Sequence, residues 1–114
     1  MSRSPHGSVA EQRAYAPVFA ALGDETRLML LSRLCGGDPQ SISQLAEGSR
    51  LTRQAVTKHL QVLAEAGLVK DLKIGRERLW QFDPVQLEAA RRSLEIIGRQ
   101  WEQALGKLKA AVET

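Results

Sequence analysis

A mostly α-helical fold with a small β component (α+β), about five helices and one β-hairpin, is predicted by three features of this 114-residue chain. Residues 52–67 read as an amphipathic helix with a polar outer face, and a shorter helix and a tight turn stand just before it. Two short strand-like runs follow at once around Gly75, and an apolar stripe at helical spacing then runs from Leu87 to Val112. A short helix, a turn, a longer helix and a basic hairpin make the sequence outline of a winged helix-turn-helix. At 43% hydrophobic residues, a chain of this length can bury one core but hardly two.

Residues 1–10 are small and polar, with Pro5 and Gly7, and are expected to form a disordered tail ahead of a domain over 11–114. His6 lies in that tail and is read as inert. The start of the chain has a basic residue but no apolar segment behind it, so it is not a secretory signal. No apolar run approaches the ~20 residues needed to span a bilayer, and the single cysteine, Cys35, excludes an intramolecular disulfide framework. A cytoplasmic protein away from membranes is expected.

Tyr15, Val18, Phe19 and Leu22 mark a first helix that Gly23 ends. Asp24 is the N-cap expected for a second helix, Glu25–Cys35, which carries Leu28, Leu31 and Leu34 and stops at Gly36-Gly37-Asp38-Pro39. Cys35, beside Leu31 and Leu34, reads as a buried thiol in preference to a redox sensor. Ser41 opens a short helix with Ile42, Leu45 and Ala46 turned inward, and residues 48–51 form the turn that follows.

The next helix starts at a capping Thr52 and stops at Gly67, suited to a left-handed C′ position. Val56, Leu60 and Leu63, flanked by Ala55 and Val62, should lie on the core. The opposite side carries Gln54, Thr57, Lys58 and Gln61, with Arg53 and His59 at its margins and one acid, Glu65, near the far end. Donors and acceptors of this kind read base edges and grip phosphates, which makes this a DNA recognition helix. The plainer alternative is a solvated face. For His59, packing or a backbone phosphate is the preferred role over base reading.

Residues 68–74 and 79–82 then form a hairpin around 75–78, a basic wing whose tip is expected to hold Arg76 and Arg78. Overall charge is only +3, but its distribution is uneven. Residues 48–82 hold seven basic side chains (Arg50, Arg53, Lys58, Lys70, Lys73, Arg76, Arg78) against three acids (Glu65, Asp71, Glu77), a local +4, whereas the remainder sums to −1.

Asp83 and Pro84 restart a helix with cap and N1 residues in preferred places. Its stripe is Leu87, Ala90, Leu94, Ile97, Trp101, Leu105, Leu108 and Val112. A helix this long overshoots the core of a small domain, so the stripe needs a second partner, and the simplest is another copy of the chain. The expected homodimer interface is Leu94, Ile97, Trp101, Leu105 and Leu108 with Tyr15 and Phe19. Trp101 is read as an interface anchor ahead of a role in an effector pocket.

Four segments together carry a resemblance to the ArsR/SmtB family of bacterial winged-helix transcriptional repressors. They are residues 19–28 (FAALGDETRL), 51–69 (LTRQAVTKHLQVLAEAGLV), 75–80 (GRERLW) and Phe82-Asp83-Pro84. The resemblance covers roughly residues 15–84 and implies a homodimer docked through its first and last helices. The family's sensing residues do not carry over. Where arsenic-type members have a Cys-x-Cys pair, this chain has Ser41-Ile42-Ser43, and where zinc-type members have paired His and acidic ligands on the last helix, it has Asp83 and no histidine. His6, Cys35 and His59 are too scattered to supply the about four ligands zinc needs. Residues 99–108 (RQWEQALGKL) look like the metal-independent branch, for which the resemblance implies autoregulation.

The resulting expectation is a homodimeric, metal-independent repressor that binds a palindromic operator in double-stranded DNA, with no cofactor. A ligand- or thiol-redox-switched regulator on the same scaffold and a protein-interaction module without DNA binding are the alternatives. No nucleophile–base pair, Gly-rich phosphate loop or carboxylate cluster suggests an enzyme.

Overall fold

In the computed structural model, residues 13–113 are described. They comprise five helices and a two-stranded antiparallel hairpin: α1 (Ala16–Leu22), α2 (Glu25–Cys35), α3 (Ile42–Glu47), α4 (Arg53–Glu65), β1 (Val69–Ile74), β2 (Glu77–Phe82) and α5 (Pro84–Glu113). The expected tail, with His6, lies outside the described residues.

Local chemistry accounts for most of the boundaries. Asp24 accepts the Arg27 backbone N–H at 3.0 Å and caps α2. Ser41 and Gln44 form a reciprocal capping box at α3: the Gln44 N–H donates to Ser41 Oγ at 3.1 Å, and the Ser41 N–H donates to Gln44 Oε1 at 2.8 Å. Thr52 caps α4 by accepting the Ala55 N–H at 3.0 Å. At the other end of α4 the Leu68 N–H donates to the Leu63 carbonyl at 2.9 Å and the Gly67 N–H to the Ala64 carbonyl at 3.0 Å, with Gly67 at φ +78°. That pair of bonds is a Schellman motif, and it turns the chain from α4 straight into β1.

One core holds these elements together. Val18 and Ala21 of α1, Leu30, Leu31 and Leu34 of α2, Leu45 of α3, Val56, Leu60 and Leu63 of α4, Leu68, Val69 and Trp80 of the hairpin, and Ala90 of α5 are all buried in it. The inward stripe of α4 is the predicted one, while Val62 at its flank is exposed. Two sequence expectations for α2 are corrected. Leu28 is 48% exposed and Leu30, one position off the predicted stripe, is fully buried, because α2 turns its Leu30–Leu31–Leu34 edge to α1 and α4. Cys35 is exposed at the last position of α2, beside the open Gly36–Gly37 exit, and is not the buried thiol expected. Its partial burial nonetheless pushes the thiol pKa up, away from the thiolate character a reactive cysteine requires.

The hairpin pairs Val69 with Phe82 through Ile74 with Glu77, closed by a two-residue loop of Gly75 and Arg76. Gly75 has φ +61° and Arg76, like every other non-glycine among the described residues, has no positive φ, the pattern of a type II′ turn, which matches the twist of the strands. The tip is therefore tighter than the sequence suggested. Arg76 sits in it, whereas Arg78 lies within β2 opposite Lys73. Beside β2, the Gln40 N–H donates to the Trp80 carbonyl at 2.9 Å and the Trp80 N–H to the Gln40 carbonyl at 2.7 Å, which fastens the base of the wing to the loop after α2.

α5 has 30 residues and extends about 45 Å at 1.5 Å per residue. Only Ala90 and Ser93 on it are buried. Beyond them Leu94, Ile97, Trp101, Leu105, Leu108 and Val112 are exposed, Trp101 by 64%. The radius of gyration, 18.6 Å, exceeds the ~13 Å of a compact domain of this size because α5 projects from the core. Among the described residues no helix is long and apolar enough to cross a membrane.

Candidate nucleic-acid interface

Five of the eight residues that the sequence picked for DNA contact line one groove. Arg53, Gln54, Thr57, Lys58 and Gln61 come from consecutive turns of α4, and Ile42 of α3 closes the side. The geometry follows from the 3.6-residue repeat: with Val56, Leu60 and Leu63 buried, the residues between them must face outward. Arg53 and Gln54 occupy the first turn, at the positive end of the helix dipole, where an anionic phosphate is favoured. Among the described residues, no acid lines this groove.

Thr57 is more constrained than its type suggests. Its Oγ donates to the Arg53 carbonyl at 2.8 Å, so a ligand meets its methyl group and lone pairs and not a free hydroxyl proton. His59 falls outside the groove. The turn of α4 carries its Nδ1 to 3.9 Å from Asp24 Oδ2, with its side chain only a quarter exposed, so it belongs to the α2–α4 contact. Asp24 in turn has its carboxyl held below the usual carboxylate range, mainly by the hydrogen bond from the Arg27 backbone and further by the charges of Arg27 and His59, against some desolvation.

On the wing, Arg76 is exposed in the loop. Arg78 is also exposed, but its Nε donates to Asp71 Oδ2 at 3.0 Å and its guanidinium lies 4.9 Å from the centroid of the Trp80 ring. Arg78 borders two further concavities. It shares one with Arg53, Ser41, Ser43 and Glu77 and the other with Gln61, Glu65, Lys70 and Asp71, so the wing and α4 flank a continuous polar surface. Ser43, Glu77 and Ile42 on that surface were not among the residues expected to contact DNA. Their signal was available only in part: Ile42 follows the Ser41 cap and was read as core, which it half is.

Tyr15 and Phe19, expected at a dimer interface, are half-buried against the core, with Tyr15 just ahead of α1. The five expected interface residues of α5 are exposed together on its projecting part. Among the described residues no group of three or more His, Cys, Asp and Glu is placed to hold a metal ion.

A helix-turn-helix flanked by a hairpin wing is an architecture shared by DNA-binding regulators. Residues 22–71 match a helix-turn-helix domain family. The chain is 41% identical over 87 residues to an HTH-type transcriptional regulator of Mycobacterium tuberculosis, covering 76% of this chain and 78% of that one. It is 40% identical, with a TM-score of 0.76, to the structure of an ArsR-like transcriptional regulator from Rhodococcus sp. RHA1, covering 90% of this chain and 96% of that one. At 21% identity and a TM-score of 0.63, over 91% of this chain and 94% of the other, it shares its fold with a homodimeric winged helix-turn-helix DNA-binding domain from Mycobacterium bovis. The chain belongs to the ArsR-like family of winged helix-turn-helix transcriptional regulators.

Proposed function

We propose that this regulator is a homodimeric repressor that places its two α4 helices in successive major grooves of a palindromic operator, without sensing metal. The observation that carries the reading is the groove of Arg53, Gln54, Thr57, Lys58 and Gln61 on one side of α4, which no acid lines among the described residues. Gln54 is suited to adenine, where its amide bonds N6 and N7 together, and Arg53 and the Thr57 methyl and lone pairs stand beside it for base edges. Lys58, Gln61, Arg76 and Arg78 meet the phosphate backbone, with Arg78 pre-oriented by Asp71 and Trp80. His59 acts behind the interface, through α2.

Dimerisation rests on the exposed stripe of α5, which is too apolar and too continuous to remain in water and which a second copy covers by two-fold symmetry. The homodimeric state of the Mycobacterium bovis protein supports it. Independence from metal is supported by the residues themselves: Ser41 and Ser43 stand at the start of the helix before the turn, where arsenic-type members carry cysteines, and α5 has no histidine. Repression follows from occupying promoter DNA, in keeping with the resemblance to the family's repressors.

Selection of bound sites from random duplex DNA tests the reading. The expected product is a two-fold palindrome whose binding weakens with salt by about 0.9 log units per neutralised phosphate and is unaffected by chelators, zinc or arsenite. Failure to enrich any sequence, or release from DNA by one of these metals, contradicts it.

A further inference from the structure

Arg33 lies on α2, away from the α4 groove, yet it reaches the helix that precedes the turn. Its Nη1 donates to the Leu45 carbonyl at 2.8 Å, and its Nη2 donates to the Gln44 carbonyl and to Gln40 Oε1, each at 3.2 Å. Leu45 and Gln44 lie in the last turn of α3, at the negative end of its dipole. The Gln44 carbonyl already accepts the Gly48 N–H and the Leu45 carbonyl the Ser49 hydroxyl, each at 3.2 Å, and the guanidinium adds a charge-assisted bond to each. Gln40 is the residue whose backbone pairs with Trp80 at the base of the wing. One side chain thus connects α2 to both elements that flank α4.

Gly48 records the same contact from the other side. Its backbone is ordinary, φ −80° and ψ 6°, so no conformational demand requires glycine there. A Cβ at this position would instead overlap the Nη1, Nη2 and Cζ atoms of Arg33. The guanidinium is tethered by three hydrogen bonds and cannot yield without losing them. The vacancy at Gly48 is the space Arg33 occupies.

We propose that Arg33 is a positioning residue for sequence reading: by fixing the C-terminal end of α3 and the turn, it sets the angle at which α4 presents Arg53 and Gln54 to base edges. A six-residue helix is too short to hold its own place, and its position depends on what grips its ends. The Ser41–Gln44 capping box grips one end and Arg33 the other. Phosphate contacts tolerate a small rotation of α4, because charge attraction is weakly directional, whereas bidentate base contacts do not. Arg33 therefore governs discrimination between sequences more than affinity for DNA as such, a role that rests on the DNA-reading function proposed for α4.

The test compares wild type, Arg33→Met, Gly48→Ala and the double variant on the selected operator and on a scrambled duplex, with the folded fraction of each followed by circular dichroism. Arg33→Met is expected to lower operator affinity by about tenfold, the worth of one base contact, while scrambled-duplex affinity and salt slope stay unchanged. Gly48→Ala, which displaces the guanidinium, is expected to reproduce this loss and to add nothing in the Arg33→Met background. Equal losses on both duplexes, or Gly48→Ala losses that multiply with those of Arg33→Met, overturn the inference. If Arg33→Met fails to fold, Gly48→Ala alone decides by the same operator-to-scrambled ratio. A wild type that does not distinguish the duplexes refutes the DNA-reading role itself, a result separate from variants that keep the wild-type preference.

Discussion

At Arg76 and Arg78, two arginines two positions apart have different surroundings, and the difference sets what each can do. Arg76 stands in the turn of the wing, with its backbone fixed by Gly75 and its side chain open to solvent. Arg76→Ala should therefore weaken binding to all duplexes alike and lower the salt slope by about one unit, as measured by titration on operator and scrambled DNA at several salt concentrations. Arg78 is already paired with Asp71, and the sequence did not reveal this, because the pairing depends on hairpin register: Asp71 lies opposite Trp80, and Arg78 opposite Lys73. His59 was hidden for a similar reason. Its place on α4 was legible, but the proximity of Asp24 across the α2–α4 contact was not. Asp24 carries a pH prediction with a definite sign. Its carboxyl titrates below the ordinary 3.8 in the folded protein, so the unfolded chain binds more protons through that range. The stability it contributes is complete above the usual carboxylate pKa and is lost as pH falls through the folded-state value. Asp24→Ala should lower the melting temperature at neutral pH, and the gap to wild type should close in strong acid; a gap that persists there would mean that the cap acts without its charge.

The elements were legible to the extent that each carries its own start and stop signals. Asp24, Ser41, Thr52 and Asp83 are local caps, and each opens the helix it was expected to open. Periodicity succeeded on α4, where three buried positions repeat cleanly, and failed by one residue on α2, where leucines at 28, 30, 31 and 34 offer two overlapping stripes and only tertiary packing chooses between them. The junction of α4 with β1 shows how a single position links elements. Gly67 has φ +78°, and a Cβ there would lie 2.6 Å from Gln86 Cγ on α5. Gly67→Ala should destabilise the domain by about 1–2 kcal/mol in chemical denaturation, from the left-handed backbone alone, with the α5 contact adding to it. An unchanged midpoint would show that neither the Schellman turn nor the α5 approach constrains the chain there.

At the scale of the whole molecule, the projecting part of α5 is the feature that the core leaves unexplained. Six large apolar side chains from Leu94 to Val112 lie on a helix that leaves the domain, and a built Cβ at Gly98 or Gly106 meets nothing within 4 Å. The proposed second copy would cover this stripe. Trp101→Ala should cost roughly 2–4 kcal/mol of dimer association in sedimentation equilibrium, since a large aromatic anchor near the centre of an interface carries a disproportionate share of its energy. In the proposed dimer the distance between the two α4 helices sets the operator, so its half-sites are expected to recur about one helical turn apart, near 34 Å. The most direct test of this account measures affinity for the selected palindrome and for the same palindrome with about five base pairs inserted at its centre, half a turn that moves one half-site to the opposite side of the duplex. The expected result is a fall to within a few-fold of scrambled DNA, about a thousandfold or more below the intact site. Affinity that survives the insertion would contradict a two-fold dimer reading DNA through paired α4 helices.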